Sequence, residues 1–368
     1  MLRRIIFGLV VVVIALIAYV LLWPVRVDPE AWNPPPAPAL SGVYAPNNRL
    51  AAVERLAEGA GVGPETIAID AQGNIYGGMV DGRIIRVRPD GSGVATFADT
   101  GGRPLGLDFD TRGNLIVADG RKGLLAITPD GKITVLATEH GGVKFGFTDD
   151  VDIGRDGTIY FSDASHKFDV AHYTQDLLEH RANGRLLAYD PTTRTTKLLL
   201  DGLYFANGVA VSPDQSFVLV NETSKYRVRR LWLSGPRAGQ NEVFIENLPG
   251  FPDGISSNGA GVYWLALAAP RNPDLDAMLP KPFMRKVLAR LPQRLAPQPK
   301  CHAFVLGLDT NGKVVQNLQD PECKHFGFVT AVTEHNGYLY LGSLLQTAIG
   351  RVALNESSGA IPQPAPAR

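Results

Sequence analysis

Four residues with oxygen-bearing side chains stand at equivalent places in the sequence, each just before a short apolar stretch: Glu65, Asp149, Asn207 and Asp253. Singly, each has an ordinary explanation; Asp253, in FPDGI, lies between Pro and Gly in a favoured turn sequence. Together, three carboxylates would repel one another unless a cation lay between them. Ca²⁺ takes oxygen ligands from carboxylates, amide carbonyls and water, whereas zinc prefers His and Cys, which none of these positions carries. The four residues therefore predict a calcium site, provided that the fold brings them together.

Six segments share a pattern that would do so: a small or apolar start, a polar turn and an alternating strand. They are TIAIDAQGNIYGG (66–78), GLDFDTRGNLIVAD (106–119), DVDIGRDGTIYFSD (150–163), GVAVSPDQSFVLVNE (208–222), GISSNGAGVYWLA (254–266) and AVTEHNGYLYLGS (331–343). Each is typical of a β-hairpin. A second hairpin-like piece follows most copies, which makes four strands a unit. Six such units predict an all-β, six-bladed β-propeller.

A propeller explains how distant residues meet. The innermost strands of all blades point the same end at a central channel, so residues just before those strands converge. The last copy ends early, at AIGRVAL (348–354), and LAAVERLAEG (50–59) is expected to supply its fourth strand and close the ring. A doubly wound α/β fold fits poorly, because few long helical periods separate the strands.

The N-terminus is predicted to be a membrane anchor. Residues 5–23 contain no charge, and a helix of that length would span about 28 Å, close to the hydrocarbon thickness of a bilayer. The alternative is a cleaved signal peptide, but the run is long for one and lacks a small-x-small cleavage site at its exit. Arg3 and Arg4 favour a cytoplasmic N-terminus and a propeller on the periplasmic, lumenal or extracellular side.

These patterns divide the chain into four parts. They are a cytoplasmic N-terminus and transmembrane anchor (1–25), a Pro-rich extended linker (26–49), the propeller (50–354) and a disordered tail (355–368). Cys301 and Cys323 could pair in an oxidising compartment, a question that two cysteines leave open. The balance of 36 Lys and Arg against 36 Asp and Glu argues against a nucleic-acid partner.

Residues 273–300 form an insertion in the fifth blade. Apolar side chains recur there at helical spacing, with basic side chains between or beside them: Met284, Val287, Leu288 and Leu291, and Arg285, Lys286, Arg290 and Arg294. One interpretation is a lid packed over the channel. The other is an amphipathic helix resting on anionic lipid, next to the anchor. Both hold if the lid admits apolar substrates from the membrane.

Longer stretches resemble the strictosidine-synthase-like family of calcium-dependent six-bladed propellers, which includes sequences similar to adipocyte plasma-membrane-associated protein. The matching stretches are GRPLGLDFDTRGNLIVADGRKGL, FTDDVDIGRDGTIYFSDAS, GRLLAYDPTTRTTKLLLDGLYFANGVAVSPDQSFVLVNET, NLPGFPDGI and EHNGYLYLGSL. With the anchor, they cover nearly the whole chain. Gluconolactonases, paraoxonases and diisopropylfluorophosphatase are similar more distantly.

The resemblance implies that Glu65, Asp149, Asn207 and Asp253 are the calcium ligands. The third-blade ligand is usually Asn in this family, so Asp149 adds a negative charge. The residue after the fifth-blade Asp is often Asn, whereas Gly254 offers no side-chain oxygen. A second, structural calcium of the paraoxonase kind is not expected, since Thr66 stands where those enzymes carry an acid.

The resemblance also bears on the reaction. Strictosidine synthases use a glutamate at the start of the last inner strand; Thr330 takes that place and cannot act as an acid or base near neutral pH, so synthase activity is not expected. Glu334 and His335 are expected in the following turn, facing solvent. The paraoxonase histidine dyad has no clear counterpart: His140 and His166 lie near the expected channel face but are interpreted as surface or hydrogen-bonding residues.

A calcium hydrolase needs fewer groups. A bound cation polarises an ester, lactone or phosphoryl oxygen, and a ligand carboxylate can activate water or attack directly. Asp253 matches the carboxylate with that role in the relatives, with Asp149 second. We therefore expect a membrane-anchored, calcium-dependent hydrolase of small-molecule esters or lactones. The alternative is a non-catalytic propeller whose calcium stiffens the ring while its face binds a partner.

Overall fold

The computed structural model describes residues 1–292 and 298–354, which form a six-bladed β-propeller preceded by a long helix. The predicted tail and Arg294 lie outside these residues. Strand β1 (Glu54–Leu56) belongs to the last blade, and the strands of blades one to three follow. They are β2–β5 (Ile67–Ile69, Ile75–Gly78, Arg83–Val87, Ala95–Asp99), β6–β9 (Pro104–Phe109, Leu115–Asp119, Gly123–Ile127, Ile133–Ala137), a small hairpin β10–β11 (Glu139–His140, Val143–Lys144) and β12–β15 (Thr148–Ile153, Ile159–Asp163, Gly184–Asp190, Thr195–Leu203).

The remaining blades repeat this antiparallel order. Their strands are β16–β19 (Ala206–Val211, Phe217–Glu222, Arg227–Trp232, Asn241–Ile245), β20–β23 (Gly250–Ser257, Tyr263–Pro270, Ala303–Leu308, Val314–Asp320) and β24–β26 (Val329–His335, Tyr338–Ser343, Ile349–Ala353). In blade six, β1 pairs with β26, with Glu54 opposite Arg351. The Arg351 Nη2 to Glu54 Oε2 distance is 2.6 Å. The expectation that residues 50–59 close the ring is confirmed.

The turns that join the first two strands of blades one and two repeat one local motif. The carboxylate of Asp110 accepts hydrogen bonds from the main-chain N–H groups of Arg112 and Asn114, at 2.9 and 2.8 Å. Asp70 makes the equivalent bonds in blade one. Between Arg112 and Asn114, Gly113 has φ +80°, which only glycine adopts without strain. The DTRGN sequence thus fixes the hairpin turn that the alternation predicted.

Four α-helices lie in the described residues. Helix α1 (Leu2–Leu22) is long and apolar enough to cross a membrane, on length and composition alone. Helix α2 (Tyr173–Glu179) lies between β13 and β14. Helices α3 (Pro273–Met278) and α4 (Pro282–Leu288) lie between β21 and β22, in the predicted insertion. Because α2–α4 follow the second strands of their blades, they lie on the face where the inner strands begin, which we call the entrance face.

The Pro-rich segment 26–49 is extended and docks along the entrance face; we call it the strap. The main-chain N–H of Trp32 donates to Leu279 O at 3.2 Å. The Arg271 guanidinium donates to Pro35 O at 2.7 Å. The Trp32 ring stacks on His180, with 4.5 Å between ring centroids. The strap is therefore part of the packed domain.

A second buried arginine, Arg285, ties the strap to the helices. Arg285 is fully buried, and its guanidinium donates to the main-chain oxygens of Leu178 (2.9 Å), Glu179 (3.3 Å), Leu279 (2.8 Å) and Glu30. The interpretation of the insertion as an amphipathic helix on anionic lipid would expose Arg285, and for this residue it is wrong. Its guanidinium instead bonds carbonyls at the ends of α2 and α3 and in the strap.

Cys301 and Cys323 form a disulfide, with 6.1 Å between their Cα atoms. The bond joins the end of the blade-five insertion to the segment that leads into blade six. It answers the question that the sequence left open.

Candidate metal centre

The candidate ligands of blades three to five lie in β-bulges. The strand register slips by one residue at Asp149–Asp150, at Asn207–Gly208 and at Asp253–Gly254. A bulge bends its strand and re-aims the extra side chain. The residues were predicted just before the inner strands. Asp149, Asn207 and Asp253 instead lie inside the first halves of β12, β16 and β20, while Glu65 does precede β2.

The same position in every blade makes a ring of six residues at the channel entrance. In blade order they are Glu65, Leu105, Asp149, Asn207, Asp253 and Thr330. The Thr330 hydroxyl donates to Glu65 O at 2.9 Å, which links blade six to blade one. Threonine therefore has a structural role at the place where synthases carry their glutamate. Leu105 adds an apolar member that the sequence analysis did not identify.

Adjacent inner strands touch directly behind these bulges. A Cβ at Gly208 would lie 2.4 Å from Asp253 O, and one at Gly254 would lie 2.5 Å from Thr330 O. Only glycine fits at such distances. Packing thus explains why Gly254 follows Asp253, and it leaves blade five with a single side-chain ligand.

The four candidate ligands are almost completely buried. Glu65, Asp149, Asn207 and Asp253 are 7%, 3%, 6% and 6% exposed. Glu65 Oε2 and Asp149 Oδ2 have no hydrogen-bond partner within the described part of the chain. A buried polar oxygen without a partner is costly and rare in folded proteins. Two such oxygens from different blades are donors of the kind that a bound cation would satisfy.

The charges of these side chains raise one another's pKa values. Burial raises the pKa of Asp149 well above its usual range, and the charges of Glu65 and Asp253 raise it further. Burial also raises the pKa of Asp253, with Glu65 adding to it and a hydrogen bond from Asn207 opposing it. Burial raises the pKa of Glu65 to about 6, against the effect of Arg103. The fold has gathered mutually repelling carboxylates, as the sequence analysis expected.

The donor chemistry fits a hard cation. Among residues 1–292 and 298–354, no group of three or more His, Cys, Asp or Glu side chains is arranged to hold a metal ion by itself. The set here also includes an amide, and its carboxylates repel in the absence of a positive charge. Glu65, Asp149, Asn207 and Asp253 would have to close on an ion to hold it. Oxygen donors and negative charge favour Ca²⁺.

Arg103 is a site residue that the sequence analysis missed. It is 4% exposed, and its Nη1 donates to Gly63 O at 3.0 Å and to Gly78 O at 3.3 Å. Its Nη2 lies 3.8 Å from Glu65 Oε2. The guanidinium thus holds the loop before Glu65 and partly balances its charge. The signal was an arginine two residues before the ring position of blade two, in GRPLG.

A recurring acid positions the loops that lead into the ring. The second strand of blades two to four ends in a fully buried carboxylate: Asp119, Asp163 and Glu222. Each accepts a hydrogen bond from a main-chain N–H just before the inner strand, at Arg103 (2.9 Å), Phe147 (3.0 Å) and Tyr204 (3.1 Å) respectively. The endings VAD, FSD and VNE of the repeats carried this signal.

One side of the entrance is apolar. Leu105, Phe147 and Phe205 pack together with Val170 and Leu177, and the two phenylalanine rings meet edge to face at 5.6 Å. Leu177 belongs to α2, so that helix borders the entrance. An uncharged, apolar group is the natural neighbour of this wall.

Tyr173, the first residue of α2, lies near the ring. Burial raises the pKa of Tyr173, and the charges of Asp253 and Glu65 raise it further.

Beneath the ring, the channel holds a cavity of about 380 Å³. There, Asp108 and Asp152 form a hydrogen-bonded carboxyl pair, and Asp150 accepts a bond from Val209 N at 2.9 Å.

The histidines and Glu334 lie apart from the ring. His166 is exposed, with Nδ1 2.7 Å from Asn183 O, and His140 lies in the β10–β11 hairpin. Glu334 was expected to face solvent, which is wrong: its Oε2 accepts a hydrogen bond from Trp264 Nε1 at 2.6 Å and joins blades five and six. His335 ends β24 at the far end of the channel.

Comparison with known proteins gives a consistent set of relatives. The strictosidine synthase family profile matches residues 149–236, and that of the strictosidine synthase-like N-terminal region matches residues 42–87. Rat adipocyte plasma membrane-associated protein is 36% identical over 366 residues, covering 93% of this chain and 96% of that protein. Strictosidine Synthase-Like 7 of Arabidopsis thaliana is 41% identical over 309 residues, covering 81% and 82%.

Solved structures share the fold. A gluconolactonase of Xanthomonas campestris superposes with a TM-score of 0.61 at 18% identity, covering 91% of this chain and 99% of its own. The calcium-binding protein regucalcin of Agrobacterium tumefaciens gives 0.57 at 14%, covering 81% and 90%. At such low identity these likenesses establish the propeller fold alone.

Proposed function

The chain belongs to the strictosidine synthase-like family, and we propose that it is a calcium-dependent hydrolase of esters or lactones, anchored to a membrane by α1. The observation that carries this proposal is the pair of buried, unpartnered oxygens, Glu65 Oε2 and Asp149 Oδ2, in a ring with Asn207 and Asp253. These residues would hold the ion. When bound, it would supply the positive charge that polarises a substrate carbonyl and stabilises the developing oxyanion.

The chain's own residues supply the other functions. Asp253 is the proposed base or nucleophile, because a carboxylate beside the proposed cation can accept a proton from water or attack the substrate directly. The hydrogen bond from Asn207 would orient its carboxylate, with Asp149 as the second candidate. The wall of Leu105, Phe147 and Phe205 would exclude water and receive the apolar part of an ester or lactone.

Two proteins that share the fold have names that match this class of reaction and this cation. A gluconolactonase acts on a lactone, and regucalcin is described as a calcium-binding protein. Thr330 removes the acidic group that a synthase reaction would need, which leaves hydrolysis at the cation as the better-supported chemistry.

We further propose that the propeller lies outside the cytoplasm. Arg3 and Arg4 lie in the first turn of α1, before its uncharged run, which favours a cytoplasmic N-terminus, and the Cys301–Cys323 disulfide suits an oxidising compartment. A C-terminal topology reporter tests this orientation: cytoplasmic reporter activity would overturn it.

The deciding experiment is a screen of lactones, aryl esters and phosphotriesters with purified full-length protein in detergent. Turnover that disappears with chelator and returns with Ca²⁺ is expected for at least one ester or lactone. Calcium binding without turnover of any substrate would favour a non-catalytic binding propeller. Turnover unaffected by chelator would overturn the calcium dependence.

A further inference from the structure

The end of α1 is attached to the blade-five insertion. Arg290, just after α4, donates from Nη1 to Val20 O at 3.2 Å and from Nε to Trp23 O at 2.5 Å. Tyr19 Oη donates to Arg290 O at 3.4 Å. A guanidinium on the last carbonyls of a helix satisfies groups that have no partner within the helix and favours its negative end. The membrane helix therefore ends on the entrance face.

The chain between this junction and the propeller is packed against the helices of the entrance face. Val27 is buried at 2% exposure. Asp28 pairs with Arg181 at 2.9 Å and with Lys286 at 3.0 Å. Two residues later, Glu30 O accepts from the buried Arg285. The strap thus fixes which face of the propeller is turned toward the end of α1.

That face also exposes apolar side chains. On α4, Leu288 packs inward at 9% exposure, whereas Phe283 and Met284 are 57% and 46% exposed. Helix α4 is adjacent to the junction, because Arg290 follows it by two residues. Large exposed apolar side chains beside a membrane helix mark a surface that contacts lipid.

A cavity beside the end of α1 is lined in part by residues typical of the boundary between a bilayer and water. Its volume is about 230 Å³, and it lies between the end of α1 and helices α2 and α4. The residues that line it include Tyr19, Trp23, Arg26, Gln175 and Arg290. Tyr and Trp are enriched where a membrane meets water. Gln175 belongs to α2, the helix that borders the ring entrance.

We infer that the entrance face lies against the bilayer that α1 spans, with Phe283 and Met284 inserted among the lipids. The opening bordered by α2 then faces the membrane, and the site takes apolar esters or lactones from the lipid phase. This inference rests on the proposed anchor, and its substrate part rests on the proposed hydrolase. The placement itself needs no catalysis.

The placement is tested on full-length protein in phosphatidylcholine–phosphatidylglycerol nanodiscs. Both native cysteines are in the disulfide, so Met284→Cys offers one thiol for a fluorophore. The matched control is Thr111→Cys, an exposed residue in the β6–β7 turn at the opposite end of the propeller. Nitroxide-labelled lipids should quench the label at 284 several-fold more than the label at 111. Equal quenching at both positions, or greater quenching at 111, would overturn the inference.

A second measurement addresses the substrate. The double change Phe283→Ser and Met284→Ser removes only exposed side chains, so the protein should fold, as thermal melting would check. We expect at least a tenfold lower rate on a long-chain ester carried in vesicles and an unchanged rate on a short-chain, water-soluble ester. If the variant turned over both esters at the wild-type rates, lipid-phase delivery would be refuted. Absence of turnover on any ester would instead refute the hydrolase and leave the quenching result standing.

Discussion

The side-chain amide of Asn221 in blade four donates a hydrogen bond to the main-chain carbonyl of Asp253 in blade five. Asn221 is fully buried in β17. It therefore acts as a positioning residue that holds the bulge on which the Asp253 carboxylate is aimed.

We expect Asn221→Ala to weaken calcium binding by about tenfold, since a lost hydrogen bond to a buried carbonyl costs roughly 1–3 kcal/mol. Calorimetric titration with Ca²⁺ measures the change, with the exposed Asn311→Ala as control. Maximal activity at saturating calcium should stay near that of the wild type. Unchanged calcium affinity in folded protein would show that the bond does not position the site.

Asp253 should matter both as a ligand and as a reacting group. Asp253→Asn keeps an oxygen and nearly the same volume but loses the basic carboxylate. Calcium should bind more weakly yet still saturate, with activity at saturation at least ~100-fold down. Asn207→Ala should regain much of its activity as calcium is raised. Full recovery of Asp253→Asn at saturating calcium would move the catalytic role to Asp149.

Asp176, in α2, should make stability depend on pH. Burial raises its pKa from 3.8 to about 7, so the folded protein holds a proton there that the unfolded chain has already released. The contribution of this carboxyl group to the unfolding free energy is complete below pH 4. It decreases as pH rises toward 7 and is constant above that. The difference in unfolding free energy between wild type and Asp176→Asn should change by about 1.4 kcal/mol per pH unit in this window.

Urea denaturation between pH 5 and 8 in saturating calcium measures this difference. Other titrating groups are common to both proteins and cancel. The wild type should lose stability relative to Asp176→Asn up to pH 7, after which the two curves should run parallel. Parallel curves throughout would mean that Asp176 is ionised in the folded protein.

The disulfide should contribute to stability. Cys301 and Cys323 are 22 positions apart in the sequence. Closing a loop of that size stabilises the folded protein by about 3 kcal/mol, because it lowers the entropy of the unfolded chain. We expect the double change to alanine to lower the unfolding free energy by that amount. The reduced wild type should behave like the double variant. A reduced protein as stable as the oxidised one would contradict the prediction.

Arg285 should hold the strap in place. Arg285→Met leaves four main-chain oxygens without their buried donor, at a cost of roughly 3 kcal/mol or more. Limited proteolysis should then cut within residues 26–49 several-fold faster than in the wild type. Lys281→Met, at an exposed position of the same insertion, is the control. Equal cleavage rates in both variants would show that the arginine is not what fixes the strap.

The sequence was sufficient for the ring architecture. Alternation and the DTRGN-type turns are local, so they can be read along the chain, and repetition then places Glu65, Asp149, Asn207 and Asp253 at equivalent points. Their oxygen-bearing side chains and the resemblance both predict a role as calcium ligands. Thr330 could be placed by the same register.

What the sequence could not show depends on contacts between distant segments. Arg103 reaches into blade one, and Arg285 gathers carbonyls from three separate parts of the chain, so neither has a local pattern. Helical spacing placed Arg285 among surface basic residues because periodicity does not tell which side of a short helix a strap will cover. Glu334 likewise gave no sign that its partner was Trp264 in another blade.

The pairing of β1 with β26 also sets the order in which the protein can assemble. Glu54 and Arg351 meet across 297 positions, so the last sheet cannot be completed until nearly the whole chain has left the ribosome. Contacts so distant in sequence form slowly. During synthesis, β1 would wait with an unpaired edge, and such edges promote association between chains. Loss of the final strand, even by a short C-terminal truncation, should therefore act as a folding defect first and as an activity defect second.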